Sequence, residues 1–185
     1  MPYTGKGDKG AMKLYHCDQR LSKSSLVAEA LGSLDEINSL LGWCKTKAEP
    51  CHFEIVVNQQ KLPAIFEEIQ NCLFSVQAEL AGAPKKLSRG AVTKAERMIK
   101  AIDKELPPLK SFIVPGGAEL SAMIDVARTV TRRAERQVVA VVESGDVKIQ
   151  ASTLAYLNRL SSLLYALARL VNHRAGIEEK KPAYK

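Results

Sequence analysis

The sequence predicts an all-α fold, a bundle of about five helices, and three observations carry that reading. Five long segments repeat their apolar residues at spacings of three and four, which lines one face of a helix. Proline and glycine clusters separate these segments, as expected of short connections. Hydrophobic residues make up 46% of the 185 and aromatics only 5%, which suits helix packing better than a sheet sandwich. At this length one domain, residues 1–185, buries a full core without disulfides or metals.

Residues 1–23 form an irregular, glycine-rich segment. Gly5, Gly7 and Gly10 spell G-x-G-x-x-G, but the dinucleotide fingerprint needs a strand before it and a helix straight after. Two residues past Pro2 there is room for neither. No Gly-Lys-Ser/Thr follows at the distance a Walker loop requires. The run Tyr3–Gly10 is therefore either a mobile tail or a loop whose amides wrap a phosphate chain. From Lys13 to Lys23 the sequence is polar and irregular.

The bundle proper spans residues 24–176. Ser24 or Ser25 caps a helix through about Lys45, with Leu26, Ala30, Ile37, Leu40 and Leu41 on its apolar face. Asp35 and Glu36 sit in mid-helix and read as solvated. Pro50 closes this helix. Phe53–Val57 resembles a short strand without a partner and is read as helix or loop. Pro63 suits the first turn of a second helix, to about Ala81, with Leu62, Ile65, Ile69, Leu73, Val76 and Leu80 inward. After the loop Gly82–Gly90, a shorter helix covers about Ala91–Glu105, and Pro107-Pro108 ends it. Phe112 to Gly117 is a connector, and on residue type alone Phe112 reads as a core plug.

The fourth helix carries the densest chemistry. Arg128, Arg132 and Arg136 fall at i, i+4 and i+8, so three guanidinium groups share one face. Glu135 braces the row, Arg133 points elsewhere, and Leu120, Met123, Ala127, Ala134, Val138 and Val141 form the buried side. Three arginines against one glutamate are under-compensated, and arginine suits phosphate oxygens. Gly145-Asp146 breaks this helix. The fifth, about Ile149–Ala175, carries two apolar stripes: Leu154, Leu157, Leu164, Ala168 and Val171, then Leu160, Leu163, Leu167 and Leu170. One stripe is expected to face the core and the other a neighbouring subunit. Asn158, Ser162 and Arg169 lie between them as a polar strip that a ligand could satisfy. The charged segment 177–185 is expected to be a loose tail.

The formal net charge of +7 draws anionic partners such as nucleotides. A nucleic-acid binder is disfavoured, because no basic stripe with interleaved aromatics and no recognition motif is present. Met1–Lys23 lacks the apolar core of a signal peptide, and no apolar run is long enough to span a bilayer. Cys17, Cys44, Cys51 and Cys72 show no CxxC pairing, so reduced thiols and a cytoplasmic location are expected. His16-Cys17 and Cys51-His52 lack the ligand gaps of a zinc site, and no metal-binding residues are assigned.

Four pieces together resemble the PduO-type ATP:cob(I)alamin adenosyltransferases: Gly32-Ser33-Leu34-Asp35-Glu36, Phe112 to Gly117, Arg132-Arg133-Ala134-Glu135-Arg136, and Leu157-Asn158-Arg159-Leu160-Ser161. The order and spacing match over essentially the whole chain. The resemblance implies a ferritin-like five-helix subunit, a homotrimer with sites between subunits, and transfer of the 5′-deoxyadenosyl group of ATP to cobalt with release of triphosphate. It implies that Arg132, Arg133, Glu135, Arg136 and Asn158 hold ATP together with Thr4, Gly5, Lys6, Gly7, Asp8, Lys13 and Lys23. Asp35 and Arg128 match a pair that bridges subunits. Phe112 matches an aromatic that crowds the lower corrin face, which makes Phe112 and Arg132 the catalytic candidates. Mg2+ is the implied cation, and a reductase and an adenosylcobalamin-dependent enzyme are the implied partners.

No Ser–His or Cys–His pair is visible, and none is needed, because cob(I)alamin is itself the nucleophile. The N-terminal loop departs from the family pattern Tyr-Thr-Lys-Thr-Gly-Asp-x-Gly. Gly5 stands for the lysine, Lys6 for the second threonine, and Met12-Lys13 for the hydroxyl residues that follow. Ser162 replaces the usual aspartate after the fifth-helix motif. These departures motivate one alternative, a non-catalytic corrinoid or nucleotide carrier or sensor of the same fold.

Overall fold

The computed structural model describes residues 3–14, 20–49 and 54–184. Among them run β1 (Ala11–Lys13), β2 (Arg20–Ser22), α1 (Leu26–Ala48), β3 (Val56–Val57), β4 (Gln60–Lys61), α2 (Leu62–Leu80), α3 (Arg89–Glu105), α4 (Glu119–Ser144) and α5 (Ala151–Arg174). The predicted five helices are present. Pro50 and the two His–Cys pairs lie outside the described residues.

Helix ends follow local chemistry. The Ser25 hydroxyl accepts from the Ala28 amide at 3.3 Å and caps α1, satisfying one of the orphan donors of the first turn. Pro63 sits in the first turn of α2, where its missing N–H costs nothing. Gly145 closes α4 in the left-handed region at φ 79°, which a residue with a Cβ adopts reluctantly. The start of α5 is capped from a distance. Glu79 of α2 accepts from the Gln150 amide at 2.8 Å and from the Thr153 hydroxyl at 2.5 Å.

Two short hairpins flank α1. β1 pairs antiparallel with β2, Met12 opposite Leu21. β3 pairs with β4, Val56 opposite Lys61, which corrects the helix-or-loop reading of that stretch. Asn58 and Gln59 turn the chain with φ of 49° and 66°. Both central residues with positive φ is the geometry of a tight hairpin turn, usually signalled by Asn-Gly. The Gln in place of Gly hid the partner strand.

The helices pack α2 on α1, α1 on α4, α4 on α5 and α5 on α3. Leu34, Ile37, Leu41, Phe66, Leu73 and Ile124 are fully buried in the shared core, each contributing about 1.5–3 kcal/mol by burial. Leu26, expected on the inward face of α1, is exposed, and Val27 is buried instead. A larger correction concerns α5. Leu160, Leu163, Leu167 and Leu170 are as deeply buried as Leu157 and Leu164. Both stripes are covered within one chain, the second with help from α3, where Leu163 lies among Ala95 and Met98. The second stripe therefore does not face a neighbouring subunit.

The segment after α5 is tied down, not loose. The Val114 amide donates to the Lys180 carbonyl at 2.8 Å, and Glu179 accepts from Arg169 Nε at 3.1 Å. No described helix is long and apolar enough to cross a membrane.

Candidate active site

The arginine row forms, but its members have different surroundings. Arg128 donates through Nε to Asp125 at 2.8 Å, and its guanidinium lies 5.7 Å from the centre of the Tyr165 ring, within cation–π range. Arg133 pairs with Glu36 across to α1, so the glutamate read as solvated has an ion partner. Arg132 and Arg136 are exposed and have no ion-pair partner among the described residues. Two guanidinium forks are thus left for an anion.

Arg128 and Arg132 form part of one wall of a cleft of about 710 Å³, between the end of α3, the connector 107–113, α4 and α5. Ser162, Tyr165 and Arg169 complete that wall, and Ile99, Pro108, Leu109, Phe112 and Ile113 supply an apolar one. Phe112 is 79% exposed, and Leu109 and Val114 beside it are also exposed. This overturns the core-plug reading. Exposed large apolar side chains on one loop mark a contact surface. Burial pushes the Tyr165 hydroxyl above its usual range; Arg169 opposes the rise, Glu179 and Asp125 add to it, and Arg128 opposes it. It is therefore a neutral hydrogen-bonding group at neutral pH.

Beside the cleft, Asn158 donates to Glu135 at 3.0 Å and accepts from Arg159 at 2.8 Å. Arg159 also binds Glu96 at 3.0 Å. The expected polar strip on α5 divides in two: Ser162 and Arg169 line the cleft, Arg169 buried against Glu179, while Asn158 belongs to this network.

The glycine-rich segment is a folded loop. The Asp8 amide donates to the Gly5 carbonyl at 3.2 Å and the Gly10 amide to Gly7 at 3.1 Å. Arg20 staples the loop through the carbonyls of Lys6 and Ala11. Lys23 arches over it, so close that a Cβ on Gly7 would lie 3.0 Å from Nζ. Thr4, Lys6, Asp8 and Lys23 are exposed here, and Lys13 is exposed on β1. None of these residues lines the Phe112–Arg132 cleft of the same chain. Asp35 is exposed on α1, and within the chain Arg128 pairs with Asp125. Sequence reasoning missed Tyr165 and Asp125, although their spacing was a usable signal: Asp125 lies three residues before Arg128, and Tyr165 three after Ser162.

A family model described as cobalamin adenosyltransferase matches residues 2–171. The chain belongs to that family. A corrinoid adenosyltransferase of Bacillus subtilis (strain 168) is 39% identical over 181 residues, covering 95% of this chain and 88% of that protein. Among solved structures, an F112A variant of a PduO-type ATP:corrinoid adenosyltransferase from Lactobacillus reuteri, complexed with cobalamin and ATP, superposes with a TM-score of 0.87 at 31% identity, covering 100% of each chain. An R132K variant from the same organism, complexed with ATP, gives a TM-score of 0.84 at 32% identity, covering 98% of this chain and 99% of that one. This member of the family carries Phe112 and Arg132 at those same numbers, on the two walls of its cleft.

Proposed function

We propose that this chain transfers the 5′-deoxyadenosyl group of ATP to the cobalt of cob(I)alamin. The Co–C5′ bond forms with the electron pair of Co(I), the C5′–O5′ bond breaks, and triphosphate leaves with that oxygen. The observation that carries this reading is the cleft with exposed Phe112 on one wall and unpaired Arg132 on the other, in a chain of the cobalamin adenosyltransferase family. An apolar wall suits the face of a flat macrocycle, and a guanidinium wall suits phosphate. The protein's work is alignment of C5′ with cobalt and stabilisation of the departing charge.

Arg132 and Arg136 take triphosphate oxygens, with Arg133, Glu135 and Asn158 around the nucleotide. Phe112 crowds the lower corrin face so that cobalt sheds its axial ligand. Thr4, Gly5, Lys6, Gly7, Asp8, Lys13 and Lys23 hold the phosphate chain from the N-terminal loop. Lys6 and Lys13 take over from the family's missing loop lysine and hydroxyls. Because the loop and the arginine row share no cavity on one chain, complete sites arise between subunits of a homotrimer, with Asp35 and Arg128 bridging them. An apolar groove between α1 and α4, edged by exposed Trp43 and Val126, is a fitting contact for that assembly.

Mg2+ enters on the nucleotide. Magnesium keeps most of its water and binds mainly substrate phosphates in such sites, and no group of three or more acidic, His or Cys ligands exists among the described residues. A reductase that delivers cob(I)alamin, an adenosylcobalamin-dependent enzyme that receives the product, and a cytoplasmic setting complete the proposal.

Turnover with ATP, Mg2+ and chemically reduced cobalamin tests it. Decay of the cob(I)alamin spectrum with stoichiometric triphosphate is expected. Tight binding of adenosylcobalamin without ATP-dependent formation would instead identify a carrier.

A further inference from the structure

The loop that carries Phe112, residues 107–118, is tied at both ends to the last turns of α5. At its start, the guanidinium of Arg169, a residue only 8% exposed, donates to the Pro107 carbonyl at 3.1 Å. At its end, buried Asn172 accepts from the Ala118 amide at 3.0 Å and donates to the Gly116 carbonyl at 2.9 Å. Gly117 permits this approach: its φ is +106°, and a Cβ there would sit 2.4 Å from Asn172 Oδ1. In the middle, the Val114 amide donates to the Lys180 carbonyl. The segment that provides Lys180 is itself anchored on α5. The Ile177 amide donates to the Asn172 carbonyl at 2.9 Å, and both Glu179 oxygens accept from Arg169.

A surface loop with exposed apolar side chains has little packing to order it. Phe112 stands largely in solvent, so its place is set by the backbone ties and not by its own burial. We propose that Arg169, Asn172 and Glu179 are positioning residues, which fix the height of Phe112 in the cleft and hence how hard it crowds the lower face of the corrin. This rests on the adenosyl-transfer reading of the cleft.

Full-length Glu179→Ala and Asn172→Ala are compared with the parent in two assays. One separates kcat from KM for ATP. The other is the electron paramagnetic resonance spectrum of cob(II)alamin bound with ATP, in which nitrogen splitting reports the axial base still on cobalt. A displaced aromatic is expected to lower kcat about ten- to a hundredfold. KM for ATP should stay within about twofold, and nitrogen splitting should grow while far-UV circular dichroism is unchanged. Glu179→Gln, which keeps an acceptor for Arg169, should recover most of the loss. Parental kcat and a parental spectrum in Glu179→Ala overturn the proposal, whatever Asn172→Ala does. Lost kcat accompanied by lost helicity marks a merely structural role and also overturns it. A parent that does not adenosylate cobalamin at all removes the corrin reading, and this proposal with it.

Discussion

Arg132 stands exposed on α4 without an ion-pair partner among the described residues. Its removal therefore costs the folded chain little: surface changes away from packing shift stability by about 0.5 kcal/mol or less. In a chain of this size that is a melting shift of about 2 °C or less. The catalytic cost is of another order. Two charge-assisted hydrogen bonds from the guanidinium fork to triphosphate are worth about 1.5–3 kcal/mol each. At one factor of ten per 1.36 kcal/mol, Arg132→Ala lowers turnover roughly 10²- to 10⁴-fold. Arg132→Lys keeps the charge and loses the fork, so it should fall between the two. Lys94→Ala is a control outside the site. It breaks a half-exposed pair with Glu68, worth about 0–1 kcal/mol, and should cost far less activity. The assay is cob(I)alamin decay with ATP in excess, alongside thermal melting. Arg132→Ala activity within about threefold of the parent refutes the reasoning.

Four further outcomes are expected. Glu79→Ala removes the carboxylate that caps α5 and leaves the part-buried Gln150 amide and the buried Thr153 hydroxyl unmet, a loss of about 2–4 kcal/mol in urea unfolding; a change near zero would show that the cap is replaceable. Leu160→Ala empties a fully buried position and should cost about 2–5 kcal/mol, against little effect if that stripe were a subunit contact only. Gly117→Ala drives a Cβ into Asn172, so activity should fall while most of the melting temperature survives; parental turnover would show that the connector yields without consequence. Tyr156 gives a pH signature. The unfolded tyrosine ionises near 10, whereas burial, with Cys72 and Glu68, holds the folded hydroxyl well above the ordinary 10.0. Below that pH both states keep the proton; above it only the unfolded chain releases it, so stability falls as pH rises past 10. Tyr156→Phe should flatten that alkaline limb in urea midpoints, and parallel limbs would argue against it.

The helices were legible because their signals are local. Ser25, Pro63 and Gly145 act within a turn of their own positions, and the spacing of Leu62 through Leu80 survives any tertiary arrangement. The hairpin at Val56–Lys61 was not legible, since its Asn58-Gln59 turn lacks the usual glycine. The role of the second leucine stripe on α5 was misjudged for a different reason: periodicity gives the width of an apolar face but not what covers it. The arginine row was plain in the sequence. Which arginines stay unpaired was not, because Glu36 lies 97 residues from Arg133 and only the packing of α1 on α4 brings them together. Phe112 defeated residue-type reasoning, since an aromatic on a loop looks the same in sequence whether its loop lies over a core or beside a cleft.

Burial of both leucine stripes of α5 within one chain has a consequence for the order of assembly. The helix that α3 and α4 pack against is the last of the five to leave the ribosome, and even its cap, Glu79, waits on α2 for more than seventy residues of synthesis. Until Leu157 to Val171 emerge, α4 has only half of its packing and α3 has lost its main support. A nascent chain at that stage exposes long leucine-accepting grooves, the kind of surface that invites chaperones or self-association. Completion of the bundle therefore waits on α5, and a ribosome stalled before residue 150 should carry a chain that is protease-sensitive in α3, whose main packing partner is missing.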